Sequence, residues 1–348
     1  MFLLIPDLLQ NGNGNDLRSW ILAFRGFSPK KPVPGLTNEK SGEILIPLER
    51  EDREVRIALT SWQTHPDSWT ASVTKKLDPD VGRYRRLQRL LNDILNVSPA
   101  PHYVIFPELS FPPRWFIRSA MKLLNRGISL IAGVEYIHHS RKRVANQVWA
   151  SLISDYLGFP SIVILRQDKV CPAPLEEAEL FAVAGLKLSP QINKKRSLNQ
   201  QKPCICHGNF RFGLLICSEL TNLRFRSRFR GKVDAVIVPE WNKDVETFSA
   251  LIESSALGIH AFIVQCNDRQ FGDSRIRSPA KEAWERDLVR VKGGKSDYFV
   301  VGSLDVDGLR RFQSFHQSPQ EGPFKPVPDG FKISSSRRKL PIKRKKSC

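Results

Sequence analysis

Long hydrophobic runs are missing from this chain. No stretch of its 348 residues approaches the roughly 18 to 20 apolar residues that a membrane-crossing helix needs. The opening MFLLIPDLLQNGNGND places an acidic residue where a secretory leader would extend its apolar core. A soluble, cytoplasmic protein without a membrane partner is therefore expected. Cysteine is scarce as well. The six residues Cys171, Cys204, Cys206, Cys217, Cys266 and Cys348 lack the dense, regular spacing of an extracellular disulfide framework, so reduced thiols are expected and one is free to be catalytic. No internal repeat is visible. Cys204, Cys206 and His207 could join Cys171 on a metal, but a closed zinc site needs four tetrahedral ligands and no second spaced pair is present. The GGKS at 293–296 has Val289 where a phosphate-binding loop GxxxxGK(S/T) has its first glycine, so nucleotide binding is rejected there. No metal and no cofactor is assigned.

Negative charge is in short supply too: 54 basic residues face 35 acidic ones, a formal charge of +19. That excess is unusual for an enzyme of small neutral metabolites and points to an anionic partner such as nucleic acid, or to a plain basic surface with a basic tail. Arg224, Arg226, Arg228, Arg230 and Lys232 in LRFRSRFRGK are the candidate phosphate contacts. Their alternative is a solvated helix, or arginines paired with carboxylates elsewhere.

Hydrophobic residues make up 41% of the chain, enough for a substantial core. Residues 1–53 mix Gly, Asn and Pro with short apolar pieces and read as an extension or linker. Residues 54–314 form the core unit. Residues 315–348, rich in Pro and Ser and ending RRKLPIKRKKSC, read as a disordered basic tail. Within the core, apolar runs such as VRIALTSW, YVIFPEL, ISLIAGVEY, SIVILRQ, FRFGLLIC and AFIVQCN predict strands. They alternate with helical patterns, for example YRRLQRLLNDIL, where Leu87, Leu90, Leu91 and Ile94 share one face. The alternation predicts α/β layers with buried sheets, and the polar 187–211 segment predicts an inserted loop.

Three reactive residue types each follow an apolar strand, where a rigid sheet can aim them into a cleft: Glu108, Lys169 and Cys217. A thiol is only a few per cent ionised near neutral pH, so a cysteine nucleophile needs a base, and Glu108 can be one if burial raises its pKa. When the thiolate attacks an amide or nitrile carbon, charge grows on the attacked group. Lys169 and the Ser218 backbone N–H could stabilise that charge. Taken singly these are weak signals, since a cysteine ending a buried strand is more often structural.

In order and context, VIFPELSF, DKVCPAPLEE, GLLICSEL and DAVIVPEWN resemble the nitrilase superfamily of carbon-nitrogen hydrolases, over roughly residues 54–310. The resemblance implies a catalytic triad on Glu108, Lys169 and Cys217. It implies a second glutamate shortly after the lysine, best matched by Glu177 and less well by Glu176, that orients lysine and substrate. The implied fold is an α/β four-layer α-β-β-α sandwich, often a homo-oligomer through its outer helices. The implied chemistry is hydrolysis of a non-peptide C–N bond, amide or carbamoyl in type, through a cysteine thioester. A second reading also stands. Some nitrilase-like domains accompany bacterial reverse transcriptases in antiviral defence, and WERDLVRVKGGKSDYFVVGSLDVDGLRRFQ resembles those. The chain would then be an accessory module that binds DNA or RNA beside a reverse-transcriptase partner.

Overall fold

The computed structural model describes residues 37–38, 42–49, 53–155, 160–192, 201–315 and 321–338. Its framework follows from two periodicities. In strand β3 (Glu54–Ser61) Ile57 and Leu59 point to one side and Ala58 to the other, and all three are fully buried, as a strand covered on both faces requires. In helix α2 (Arg83–Asn96) the leucines at helical spacing and Ile94 turn onto a sheet.

Two sheets result. The first runs β15 (Tyr298–Asp305), β3, β4 (Tyr103–Ile105), β5 (Ser129–Ser140), β6 (Arg143–Ser154), β7 (Ser161–Asp168), with β8 (Lys187–Leu188) also paired to β6. Strands β3, β4 and β5 are parallel; their crossovers are α1 (Pro66–Thr74), α2 and α3 (Pro113–Leu124). The second runs β1 (Thr37–Asn38), β2 (Glu43–Ile46), β9 (Ile205–His207), β10 (Phe210–Leu214), β11 (Ala235–Pro239), β12 (Phe262–Cys266), β13 (Ser274–Arg277), β14 (Asp287–Val291). Here β10, β11 and β12 are parallel, crossed over by α5 (Leu223–Phe229) and α6 (Val245–Ser255).

Ile57, Leu59, Ile105, Ile131 and Val148 of the first sheet meet Phe212, Leu214, Ile237 and Val264 of the second in one apolar core. On the far side of the first sheet, Leu87, Leu91, Phe116 and Leu123 of α2 and α3 cover Ala58, Val104 and Leu130. Phe225, Phe229, Phe248 and Ile252 of α5 and α6 do the same over Val236 and Ile263. The fold is thus the four-layer α-β-β-α sandwich expected. Truncating a residue of the inner core, such as Ile237, to alanine should cost about 2 to 5 kcal/mol.

Three segments differ from the sequence reading. Residues 43–46, expected in a linker, form β2, which pairs parallel to β9. Residues 205–207, expected in a loop, are that partner strand, fully buried. Residues 321–338, expected in a disordered tail, pack on the second sheet. Phe324 and Phe331 are buried, Ala280 bridges to Phe324, and the Arg337 guanidinium reaches Asp234 at 2.9 Å. Composition predicts disorder; the segment is instead held by these contacts and by backbone hydrogen bonds such as Lys325 N–H to the Pro279 carbonyl at 2.9 Å and Ser334 N–H to the Gly231 carbonyl at 2.9 Å. Gly231 permits the approach, because a Cβ there would lie 2.0 Å from the Lys332 carbonyl. Most of 1–53, and 339–348, lie outside the described residues. Among the described residues no helix is long and apolar enough to cross a membrane.

Candidate active site

Glu108 lies two residues beyond the Phe106 that ends the apolar run of β4. Its turn is held from two sides. Gly133 of β5 sits so close that a Cβ would fall 2.4 Å from the Glu108 Cα, while Ser110 and Phe111 donate to the Gly133 carbonyl at 3.0 and 3.1 Å. Arg83, fully buried, donates to the Ser110 carbonyl at 2.8 Å, and to Glu135 at 2.6 Å and Asp78 at 2.8 Å. Leu109 takes a positive φ of 56°, a strained conformation for a leucine that these contacts stabilise.

Lys169 follows β7, its backbone N–H donating to the Asn146 carbonyl at 2.8 Å. The buried ammonium lies 2.9 Å from Glu108 Oε1 and 2.6 Å from Glu176 Oε2. Asn146, in β6, donates through Nδ2 to the same two carboxylates at 2.6 and 2.7 Å. Tyr136 adds a hydroxyl to Glu176 at 3.1 Å, and the Trp241 backbone N–H donates to Glu108 Oε2 at 3.2 Å.

The expected second glutamate was Glu177; the structure puts Glu177 in solvent and Glu176 on the lysine. Helix α4 (Pro174–Ala184) starts at Pro174 and stops at Gly185, whose φ is 62°. Successive helical side chains diverge by about 100°, so only one of two consecutive glutamates can face inward. The starting phase of α4 decides which.

Cys217 follows β10 and opens a single tight turn with a φ of 47°. Glu219, two residues on and fully buried, ties this turn to the segment after Lys169. One oxygen accepts the Val170 N–H at 2.7 Å; the other accepts the Ile216 N–H at 3.0 Å and pairs with the buried Lys202. Ser218 is half-buried, with its hydroxyl 3.4 Å from the Cys171 carbonyl.

Electrostatics follow from this packing. Burial pushes the Cys217 thiol well above its ordinary value and Glu108 pushes it further, while Lys169 pulls it back. Burial raises Glu108 too; Lys169 opposes the shift and Glu176 adds to it. Burial alone would lower the Lys169 ammonium, but Glu108 and Glu176 outweigh it and hold it well above its usual range. One cation shared by two carboxylates leaves one negative charge in excess, so a proton arriving at Glu108 neutralises the cluster. Behind it lies a further carboxyl. Glu240, after β11, is fully buried, accepts from Gln265 at 2.8 Å, and is pushed by burial up to about 8. Trp69, Tyr136, Trp241 and Phe271 stand in an aromatic series beside the cluster, with ring centroids 5.8 to 6.4 Å apart.

The arginine run of α5 is divided by the fold. Arg224 is exposed, and Arg226 reaches the Ser255 hydroxyl at 3.4 Å. Arg228 is buried and donates to the Lys202 carbonyl at 2.7 Å, and Arg230 donates to the Pro328 carbonyl at 3.0 Å. The last two support neighbouring segments instead of presenting a phosphate-binding stripe. His207 lies between the Tyr103 hydroxyl and the Ile153 carbonyl, each at 2.6 Å, and burial raises Cys206 to about 12. Among the described residues no group of three or more His, Cys, Asp or Glu side chains is placed to hold a metal ion.

Asn146, Tyr136 and Arg83 were not singled out from sequence. Asn146 left one signal: an Asn-Gln pair in the middle of an otherwise apolar strand needs buried hydrogen-bond partners.

No protein-family model matches this chain, and no characterised protein sequence does. Among solved structures, a mutant amidase from Nesterenkonia sp. AN1, with the acetamide moiety of fluoroacetamide on its active-site cysteine, aligns over 80% of this chain and 96% of its own. The identity is 16% and the TM-score 0.49. A CN-hydrolase superfamily protein from Xanthomonas campestris, with an arsenic adduct in its active site, aligns over 72% and 90%, at 12% identity and a TM-score of 0.48.

Proposed function

We propose that this chain is a cysteine hydrolase of non-peptide carbon-nitrogen bonds, amide or carbamoyl in type, acting through a thioester. The observation that carries this reading is the buried Lys169 ammonium bound at once to Glu108 and Glu176, with Cys217, whose thiol feels the charges of both Glu108 and Lys169, on a turn at positive φ. In the proposed cycle Glu108 takes the Cys217 thiol proton as sulfur bonds to the carbonyl carbon. Lys169 and the Ser218 N–H hold the oxyanion. Collapse breaks the C–N bond, and Glu108 returns its proton to the departing nitrogen. Water then gives a proton to Glu108 and its oxygen to the thioester carbon, which releases the acid and restores the thiol.

Within this reading Glu176 is a positioning residue. Paired to Lys169 from the far side, it keeps that side chain charged and extended toward Glu108, with Asn146 fixing the spacing of the two carboxylates. The core unit 54–314 is proposed as the catalytic domain.

Intact-mass alkylation with limiting iodoacetamide across pH, followed by ammonia release from a panel of short amides and carbamoyl compounds, tests the reading. The expected result is labelling of one thiol that is absent in Cys217→Ala and altered in Glu108→Gln and Lys169→Ala. Turnover of at least one amide should then fall by at least about a thousandfold in Cys217→Ala. Labelling of Cys217 indifferent to both neighbours would overturn it.

A further inference from the structure

We propose that the outer face of helices α2 and α3 binds the phosphate backbone of a nucleic acid, a property separate from the thiol cluster. The two helices lie side by side. Tyr84 and Trp115 meet with ring centroids 4.9 Å apart, and Lys122 donates to Gln88 at 2.9 Å. Going from 84 to 88 on one helix and from 115 to 122 on the other runs the same way, so the helices are parallel, as crossovers between parallel strands require. With Leu87 and Leu91 of α2, and Phe116, Ala120 and Leu123 of α3, turned onto the sheet, the opposite face of each helix is left to solvent.

That solvent face carries Arg85 and Arg89 on α2, and Arg114 and Arg118 on α3, all four exposed. Each pair is four residues apart, which stacks its members on one side about 6 Å from each other. None of the four guanidinium groups reaches a carboxylate among the described residues, whereas Arg275, Arg277, Arg310 and Arg337 all do. Asp93 is the one acidic residue in α2, and α3 has none.

The chemistry of the face selects the partner. Guanidinium forks match phosphate oxygens in pairs, and rows of them suit a polymer of phosphates. A protein partner calls for an apolar centre and a bilayer for an apolar stripe. Met121, 43% exposed, is the lone large exposed hydrophobic on either helix. The formal charge of +19 adds a long-range attraction for the same polyanion.

The test uses the full chain and a fluorescein-labelled single strand and duplex of about 30 nucleotides, titrated by anisotropy between about 50 and 200 mM salt. Arg85, Arg89, Arg114 and Arg118 are replaced together by Glu, and separately together by Gln. A control set replaces the exposed Lys75, Lys76, Lys142 and Arg143 by Glu, an equal change of charge elsewhere. The expected result is a log K against log salt slope shallower by about 3 in the Gln set, with at least a roughly hundredfold weaker complex at low salt. The control set should keep the wild-type slope. Unchanged rates of Cys217 alkylation certify that each variant is folded, and the Gln set stands if the Glu set is not. Equal losses in the test and control sets, or a wild-type slope in the Gln set, would overturn the proposal. So would loss of binding to phosphatidylserine vesicles with oligonucleotide binding intact.

Discussion

Two buried carboxylates in this molecule have opposite electrostatics. Asp234 and Glu108 are both almost completely inaccessible. Asp234 meets Arg310 at 2.7 Å and Arg337 at 2.9 Å, and accepts the Arg211 N–H at 2.9 Å. Burial opposes its charge, but the two guanidiniums win and hold it below the ordinary carboxylate range. Glu108 shares one ammonium with Glu176, and burial wins there. The count of counter-charges, not the depth of burial, sets the direction. A carboxylate with two cations is a fixed staple; one with half a cation can take up and release a proton, as a general base must.

The comparison can be broken at its functional end first. Under the proposed cycle Glu108→Gln keeps the shape but removes the proton acceptor, so turnover of a substrate found in the amide screen should fall by about a hundredfold to ten-thousandfold. Thermal and denaturant midpoints should move little. At the structural end, Asp234→Asn leaves two buried guanidiniums facing a neutral amide and should cost about 3 to 5 kcal/mol in urea unfolding, with Cys217 labelling of the folded protein unchanged. An Asp234→Asn variant as stable as wild type would sink the staple reading.

Acid separates the two ends further. Asp234, held low, contributes stability that is present above its unfolded pKa and lost as pH falls through its lower folded value. Glu240 behaves in the opposite sense. Its folded pKa of about 8 lies above the ordinary 4.5, so its contribution is full below about 4.5 and is lost as pH rises to about 8. Relative to Glu240→Gln, the wild-type denaturation midpoint should therefore decline across that window and level off above it; a flat difference would contradict the assignment. The smallest expected effect is Glu177→Gln, within about 0.5 kcal/mol in stability and without consequence for labelling. Glu176→Gln, one residue earlier, should measurably change the labelling rate.

Much of this was legible in the residues. The apolar runs predicted β3, β4, β5, β7, β10 and β12, and the leucine spacing predicted α2, because local periodicity already encodes which side of an element is buried. Glu108, Lys169 and Cys217 are candidates because each follows such a run, and the fold sets the Lys169 ammonium 2.9 Å from Glu108. The arginines of LRFRSRFRGK are split between surface and interior for a related reason. Alternate residues on a helix point to widely different sides, so Arg228 turned inward, whereas the four-residue spacing on α2 and α3 keeps arginines together.

By itself, then, the sequence determined what depends on neighbours in the chain: the strands, the helical faces, and three reactive side chains at strand ends. Only the tertiary structure decided that Glu176 and not Glu177 meets Lys169, that Asn146 bridges two carboxylates, and that Arg337 closes on Asp234 about a hundred residues away. Each of those outcomes depends on helix phase or on ion pairing between distant segments. Both are set by how the layers pack, and local composition carries no record of them.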